Sequence, residues 1–127
     1  LTFMEYSLIP GSGGDGKPRG GTGLRRAYRV DAASGGQLSG NFERFKVPPY
    51  GLSGGEPGRT GRFYLVRDGE ARALPSKLAN QQVERGDIVV LETAGGGGFG
   101  SPAERGDAAR ARDIAGGYVI DPSAEAR

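Results

Sequence analysis

The chain has 127 residues, 17 basic and 15 acidic side chains, a net charge of +2, and neither cysteine nor histidine. That composition excludes disulfides and thiolate metal sites, and rules out a Ser-His-Asp triad or Cys-His pair built from this chain alone. Charges of both signs are interspersed without a basic stripe, which argues against a nucleic-acid partner, and no apolar run reaches the length of a membrane span.

Only 35% of residues are hydrophobic, while Gly accounts for 25 and Pro for 8. One lean domain, residues 1–127, is therefore expected, mainly β with long glycine-rich loops and one or two short C-terminal helices. Thr2–Ile9 is rich in strand formers and ends at Pro10. Gly11–Gly23 is a loop with seven glycines, and Leu24–Val30 alternates as a second strand. Asp31–Gly36 is a turn cluster, Leu38–Lys46 a candidate strand, and Val47–Gly61 a Pro/Gly loop. Phe63–Val66 and Ala71–Leu74 flank Asp68-Gly69, a type I′ hairpin signal. A turn at Glu84–Asp87 leads into Ile88–Thr93, the most apolar strand.

Gly95–Gly98 follow at once, and then Phe99-Gly100-Ser101-Pro102-Ala103-Glu104. Consecutive glycines survive in a packed chain only where the backbone needs positive φ or where something approaches too closely for a Cβ. Ser101, Pro102 and Glu104 fit a Ser-x-x-Glu capping box with proline at N1, so a helix is expected there. Asp107 is placed to cap a second helix over Ala108–Ala115, stopped by Gly116-Gly117, and Tyr118–Ile120 reads as extended. Asp121-Pro122 starts another helix. With a strand at one end and a helix start at the other, the chain is expected to be the ordered part of a longer polypeptide, a fragment, or a small subunit. Leu1 opens directly into a strand with no leader, so a cytoplasmic location is expected.

Gly11-Ser12-Gly13-Gly14-Asp15-Gly16-Lys17 fits the outline of a phosphate-binding loop. The reading fails because Pro18 stands where a Mg²⁺-binding hydroxyl is needed, and Pro-Arg-Gly-Gly-Thr-Gly cannot be the following helix. Arg19, Arg25 and Arg26 flank Gly20–Gly23 and are candidates for an anion cradle; solvation, pairing with acids or contact with a partner is preferred. Glu43, Arg44 and Lys46 lead into a rigid Pro48-Pro49 corner. Ser76 and Lys77 are neighbours on an extended chain, so they point apart, cooperation as nucleophile and base is difficult, and a structural role is preferred. Two Arg-Gly-Asp triplets, Arg85–Asp87 and Arg105–Asp107, read as turn chemistry. For Gly95, Gly96, Gly97 and Gly98, close packing or an interface is preferred over backbone approach to a ligand.

Four blocks carry a resemblance: Gly13–Gly23, Pro48–Gly58, Leu74–Lys77 and Gly95–Arg105. In order and spacing they resemble the C-terminal region of the hydantoinase B/oxoprolinase family, which includes subunits of ATP-dependent, biotin-independent ketone carboxylases and enzymes that open cyclic amides. The resemblance implies that the nucleotide is handled by a partner of hydantoinase A type, and that catalytic and metal-binding residues lie outside this region. This chain would then bind no cofactor itself, with ATP and a divalent metal held in hydantoinase A-like and B-like large subunits. Three roles follow: a separately encoded small subunit of a ketone carboxylase, the C-terminal fragment of a B-type subunit, or a structural assembly module.

Overall fold

The structure is a computed structural model and describes residues 1–125. Seven strands form: β1 (Thr2–Leu8), β2 (Leu24–Arg29), β3 (Gly36–Asn41), β4 (Arg62–Arg67), β5 (Glu70–Ala73), β6 (Lys77–Val83) and β7 (Ile88–Glu92). Five of them make an antiparallel sheet in the order β1-β2-β7-β4-β5, and β3 pairs with β6 in a separate ribbon. The most apolar strand, β7, is thus the centre of the sheet, with a hydrogen-bonded neighbour on either side. β1 lies at an edge.

Register places Phe63 opposite Leu91, and Leu65 and Tyr28 on either side of Val89. These residues share one face, where Val30, Phe63, Leu65, Val83 and Val89 are buried together. Leu38 from β3 and Leu78 from β6 pack on this cluster, so the ribbon closes the core. Burying a side chain as fully as Leu65 contributes about 1.5–3 kcal/mol. The hairpin between β4 and β5 has φ of 51° at Asp68 and 79° at Gly69, the pair of positive angles that a type I′ turn requires.

Several expectations change. The strand expected over Leu38–Lys46 is β3, Gly36–Asn41, because Arg44 takes φ 63° and breaks the extended path. Phe42 and Phe45 then turn inward, with Phe42 meeting Phe63 edge-on at 4.9 Å between ring centres. Ser101 makes no side-chain capping bond, and the expected capping-box helix is a single 3₁₀ turn over Pro102–Glu104. Arg105 ends it in extended conformation, its side chain drawn away to Asp113 and to the Lys17 carbonyl. Tyr118–Ile120 joins no strand, although the Tyr118 carbonyl accepts from the Gly11 N–H.

The helix α1 (Asp107–Ala115) starts one residue earlier than expected, with Gly106 rather than Asp107 at the N-cap. Gly117, at φ 72°, donates to the Ile114 carbonyl and closes it. The four-residue α2 (Pro122–Glu125) begins where Asp121-Pro122 indicates, with the Asp121 carboxylate accepting from the Ser123 N–H. No helix among the described residues is long and apolar enough to cross a membrane.

Asp87 joins the turn before β7 to the end of β4. It is 2% exposed and accepts two bonds from Arg67, at 2.8 and 2.6 Å, and one from the Glu84 N–H at 2.7 Å. Both partners hold its carboxyl below the usual range, Arg67 most strongly. A depressed carboxylate contributes stability above about pH 4 and loses it as pH falls through the folded-state value. Asp87→Asn is therefore expected to cost about 3 kcal/mol at pH 7 and to flatten the fall in stability below about pH 4, measured by urea unfolding across pH.

Candidate functional site

Residues 93–98 belong to no helix or strand, yet Gly95, Gly98 and Gly100 are buried. None of Gly95–Gly98 has positive φ. The alternative requirement, close approach, explains them. A Cβ on Gly95 would land on the Ser12 carbonyl oxygen, one on Gly97 on that of Tyr50, and one on Gly98 on that of Asp15. The run is threaded among backbones, with no space for a side chain on those three residues.

The contacts repeat every third residue. Gly95 N–H donates to the Arg59 carbonyl at 3.0 Å and Gly98 N–H to that of Glu56 at 2.9 Å. Gly96 N–H donates to Gly21 at 2.8 Å, and Phe99 N–H to Pro18 at 3.1 Å. Gly97 faces Tyr50, and Gly100 N–H reaches the Leu52 carbonyl. A period of three is that of a polyproline II helix, whose own backbone makes no internal hydrogen bonds and must find partners elsewhere. The stretches around residues 12–21 and 50–59 supply them. The expected glycine loops are therefore extended segments in a packed bundle. Ser12, buried at 1% exposure, ties this bundle to the sheet, donating to the Ile9 carbonyl and accepting from the Gly23 N–H.

Arg19, Arg25 and Arg26 share no partner. Arg19 lies 3.2 Å from Asp113 and 4.9 Å over the Tyr118 ring, so it fastens the bundle to α1. Arg105 holds the same carboxylate through two bonds, at 2.8 and 2.9 Å, and with Arg19 keeps it below the usual carboxylate range. Arg26 covers the Tyr6 ring at 5.2 Å, and as its strand neighbour Arg25 points to the opposite face.

Arg25 belongs to a cluster that sequence reasoning missed. Glu92, 5% exposed at the end of β7, lies between Arg25 and Arg62 in the strand register. Its carboxylate is 2.6 Å from Arg25, 3.3 Å from Arg59 and 3.7 Å from Arg62, and Arg25 also holds Glu5 at 2.9 Å. The signal was present in the pattern: Glu92 is in phase with Ile88 and Val90 on a strand otherwise free of charge, and a buried carboxylate must find cations.

The remaining candidates are dispersed. Lys77 pairs with Glu43 and Asn41, and Ser76 gives only its carbonyl, to the Phe42 N–H. Both Arg-Gly-Asp triplets are tied into turns, Asp87 to Arg67 and Arg105 to Asp113. Lys17, Arg44 and Lys46 are exposed, and none of them pairs with Glu92. Among the described residues no three His, Cys, Asp or Glu are grouped to hold a metal ion.

Two contrasts test this geometry. Gly97→Ala is expected to cost about 3 kcal/mol or more, because the clash is with backbone, whereas Gly21→Ala, with open space at its Cβ position, should stay within about 1 kcal/mol of the parent in thermal unfolding. Glu92→Gln is expected to cost about 3 kcal/mol by leaving the guanidinium groups uncompensated, and Arg62→Gln less than about 1 kcal/mol because two other cations remain.

Known proteins share this frame. The family model described as hydantoinase B/oxoprolinase matches residues 1–102. The chain is 43% identical over 105 residues to an uncharacterized protein of Methanocaldococcus jannaschii, covering 83% of this chain and 18% of that protein. It is 32% identical over 127 residues to a putative D-/L-hydantoinase B-type subunit of a Pseudomonas species, covering 98% of this chain and 21% of that one. In fold it is similar to nucleotide-free acetone carboxylase, with a TM-score of 0.73 at 22% identity over 97% of this chain and 20% of that one. The chain spans about a fifth of the length of these relatives. It belongs to the hydantoinase B/oxoprolinase family.

Proposed function

We propose that this chain is a non-catalytic docking module of an ATP-dependent enzyme of this family, in which hydantoinase A-like and B-like large subunits hold the ATP and the divalent metal. The observation that carries the reading is its exposed apolar surface. Along the edge strand β1, Phe3 is 65% exposed, Met4 49%, Tyr6 63% and Leu8 43%. From the glycine bundle, Tyr50, Leu52 and Phe99 also project, with Leu52 bridged to Phe99 through the main chain. An apolar edge strand open along its outer side and a cluster of exposed aromatic side chains are both features that association buries. The wide glycine bundle supports the display by fixing the backbone from which Tyr50 and Phe99 emerge.

In the first form of the proposal, the chain is a small subunit of a cytoplasmic, biotin-independent ketone carboxylase resembling acetophenone carboxylase, a single domain assembled with larger subunits. The fold likeness to acetone carboxylase is compatible with that form. In the second, the same residues are the C-terminal region of a B-type subunit acting on cyclic amides; alignment of 98% of the chain inside a putative hydantoinase of B type favours it.

Intact mass of the natural polypeptide and of its co-purifying proteins separates the two forms. A polypeptide of this size recovered with larger subunits supports the first, and one of several hundred residues supports the second. A folded, solitary monomer contradicts docking in either form. The chain freed of its partners is expected to show no ATP hydrolysis, and Phe99→Ser with Tyr6→Ser to weaken association by about tenfold or more in sedimentation or pull-down measurements.

A further inference from the structure

Arg59 and Arg62 converge on one oxygen of Glu92, Arg59 by a hydrogen bond and Arg62 as an ion pair, but remain 41% and 58% exposed, and neither side chain makes a further hydrogen bond among the described residues. Arg25 is already engaged at short distance with Glu5 and Glu92. Three guanidinium groups thus face two carboxylates, and one positive charge is left without an acid. It sits at the open end, on Arg59 and Arg62, the two longest contacts of the cluster.

Beside Arg62 lies a cleft of about 510 Å³, walled by Phe45, Gly61, Tyr64, Ala73 and Leu74. Its lining is largely apolar, and Arg62 lies 5.8 Å over the Tyr64 ring, which fixes where the guanidinium enters. Gly61 has no room for a side chain because the Phe45 ring lies against it, so the wall is built rather than incidental. Pockets of this size with one convergent polar end suit small ligands.

We propose that this cleft binds a small organic monoanion, its carboxylate on Arg62 and its apolar body between Phe45, Tyr64 and Ala73. A monoanion fits the single uncompensated charge. A second negative charge would find no further cation and would be repelled by Glu92, and a guanidinium with free N–H donors suits a planar carboxylate. The site is independent of the docking role and stands or falls separately from it.

The test is titration of the natural polypeptide, in the assembly in which it purifies, with benzoate and in parallel with inorganic phosphate, followed by calorimetry or NMR. Benzoate is expected to bind saturably with a dissociation constant on the order of 1 mM, and more tightly than phosphate. Arg62→Gln, which removes the anchor, and Ala73→Leu, which fills the cleft, should each weaken it about tenfold. Arg29→Gln, at an exposed arginine paired with Asp31 outside the cleft, should change it less than about twofold. Circular dichroism of each variant confirms the fold. Absence of saturation, equal loss in Arg29→Gln, or tighter binding of phosphate than of benzoate would overturn the proposal.

Discussion

The glycine-rich half of this molecule depends on backbone meeting backbone around Gly95–Gly98. The run lies along a path lined by the carbonyl oxygens of Ser12, Asp15 and Tyr50, and its N–H groups end on those of Gly21, Glu56 and Arg59. Such a segment is stabilised by hydrogen bonds of about 1 kcal/mol net each rather than by apolar burial. It also carries the entropy cost of ordering glycine, roughly 0.5–1 kcal/mol per residue relative to alanine. The balance works only if the segments are clamped from outside. Three clamps are present: Ser12 between Ile9 and Gly23, Arg19 with Arg105 on Asp113, and Arg59 on Glu92.

This arrangement explains why so lean a chain has a fixed structure. Its hydrophobic core is a small cluster on one face of the sheet, centred on Phe63, Leu65 and Val89. The remaining order comes from polar contacts that converge on a few buried carboxylates: Asp87 for the hairpin, Asp113 for α1, and Glu92 for the junction of sheet and bundle. Each lies at the boundary between two parts of the fold. The consequence for function is a rigid frame whose apolar side chains, Tyr6, Tyr50 and Phe99 among them, project outward.

Much of the sheet was legible in the sequence because its signals are local. Asp68-Gly69 dictates the hairpin, and the Ile88–Leu91 run can only be a central strand. β6 was not legible: Lys-Leu-Ala-Asn-Gln-Gln-Val has one β-branched residue, and Asn80 sits at φ 57° beside a register shift. Its pairing with β3 and the contact of Leu78 with the core make it a strand. The helix expected after Ser101 failed for a related reason, since a capping pattern was overridden by the ion pairs of Arg105. The glycine run was recognised as needing positive φ or close approach, but sequence could not choose between them. Only the partner segments decide, and they lie roughly 40 and 80 residues away along the chain. Arg59 and Arg62 were invisible singly, because their meaning depends on the burial of Glu92.

The central claim is that the glycine segments are a packed bundle and not a set of loops, and amide hydrogen exchange followed by NMR tests it most directly. The N–H groups of Gly14, Arg59, Gly96 and Gly98, each bonded across segments at 2.8–2.9 Å, should exchange as slowly as those of β7. Exchange of these amides at the rate of exposed turns, while β7 stays protected, would contradict it.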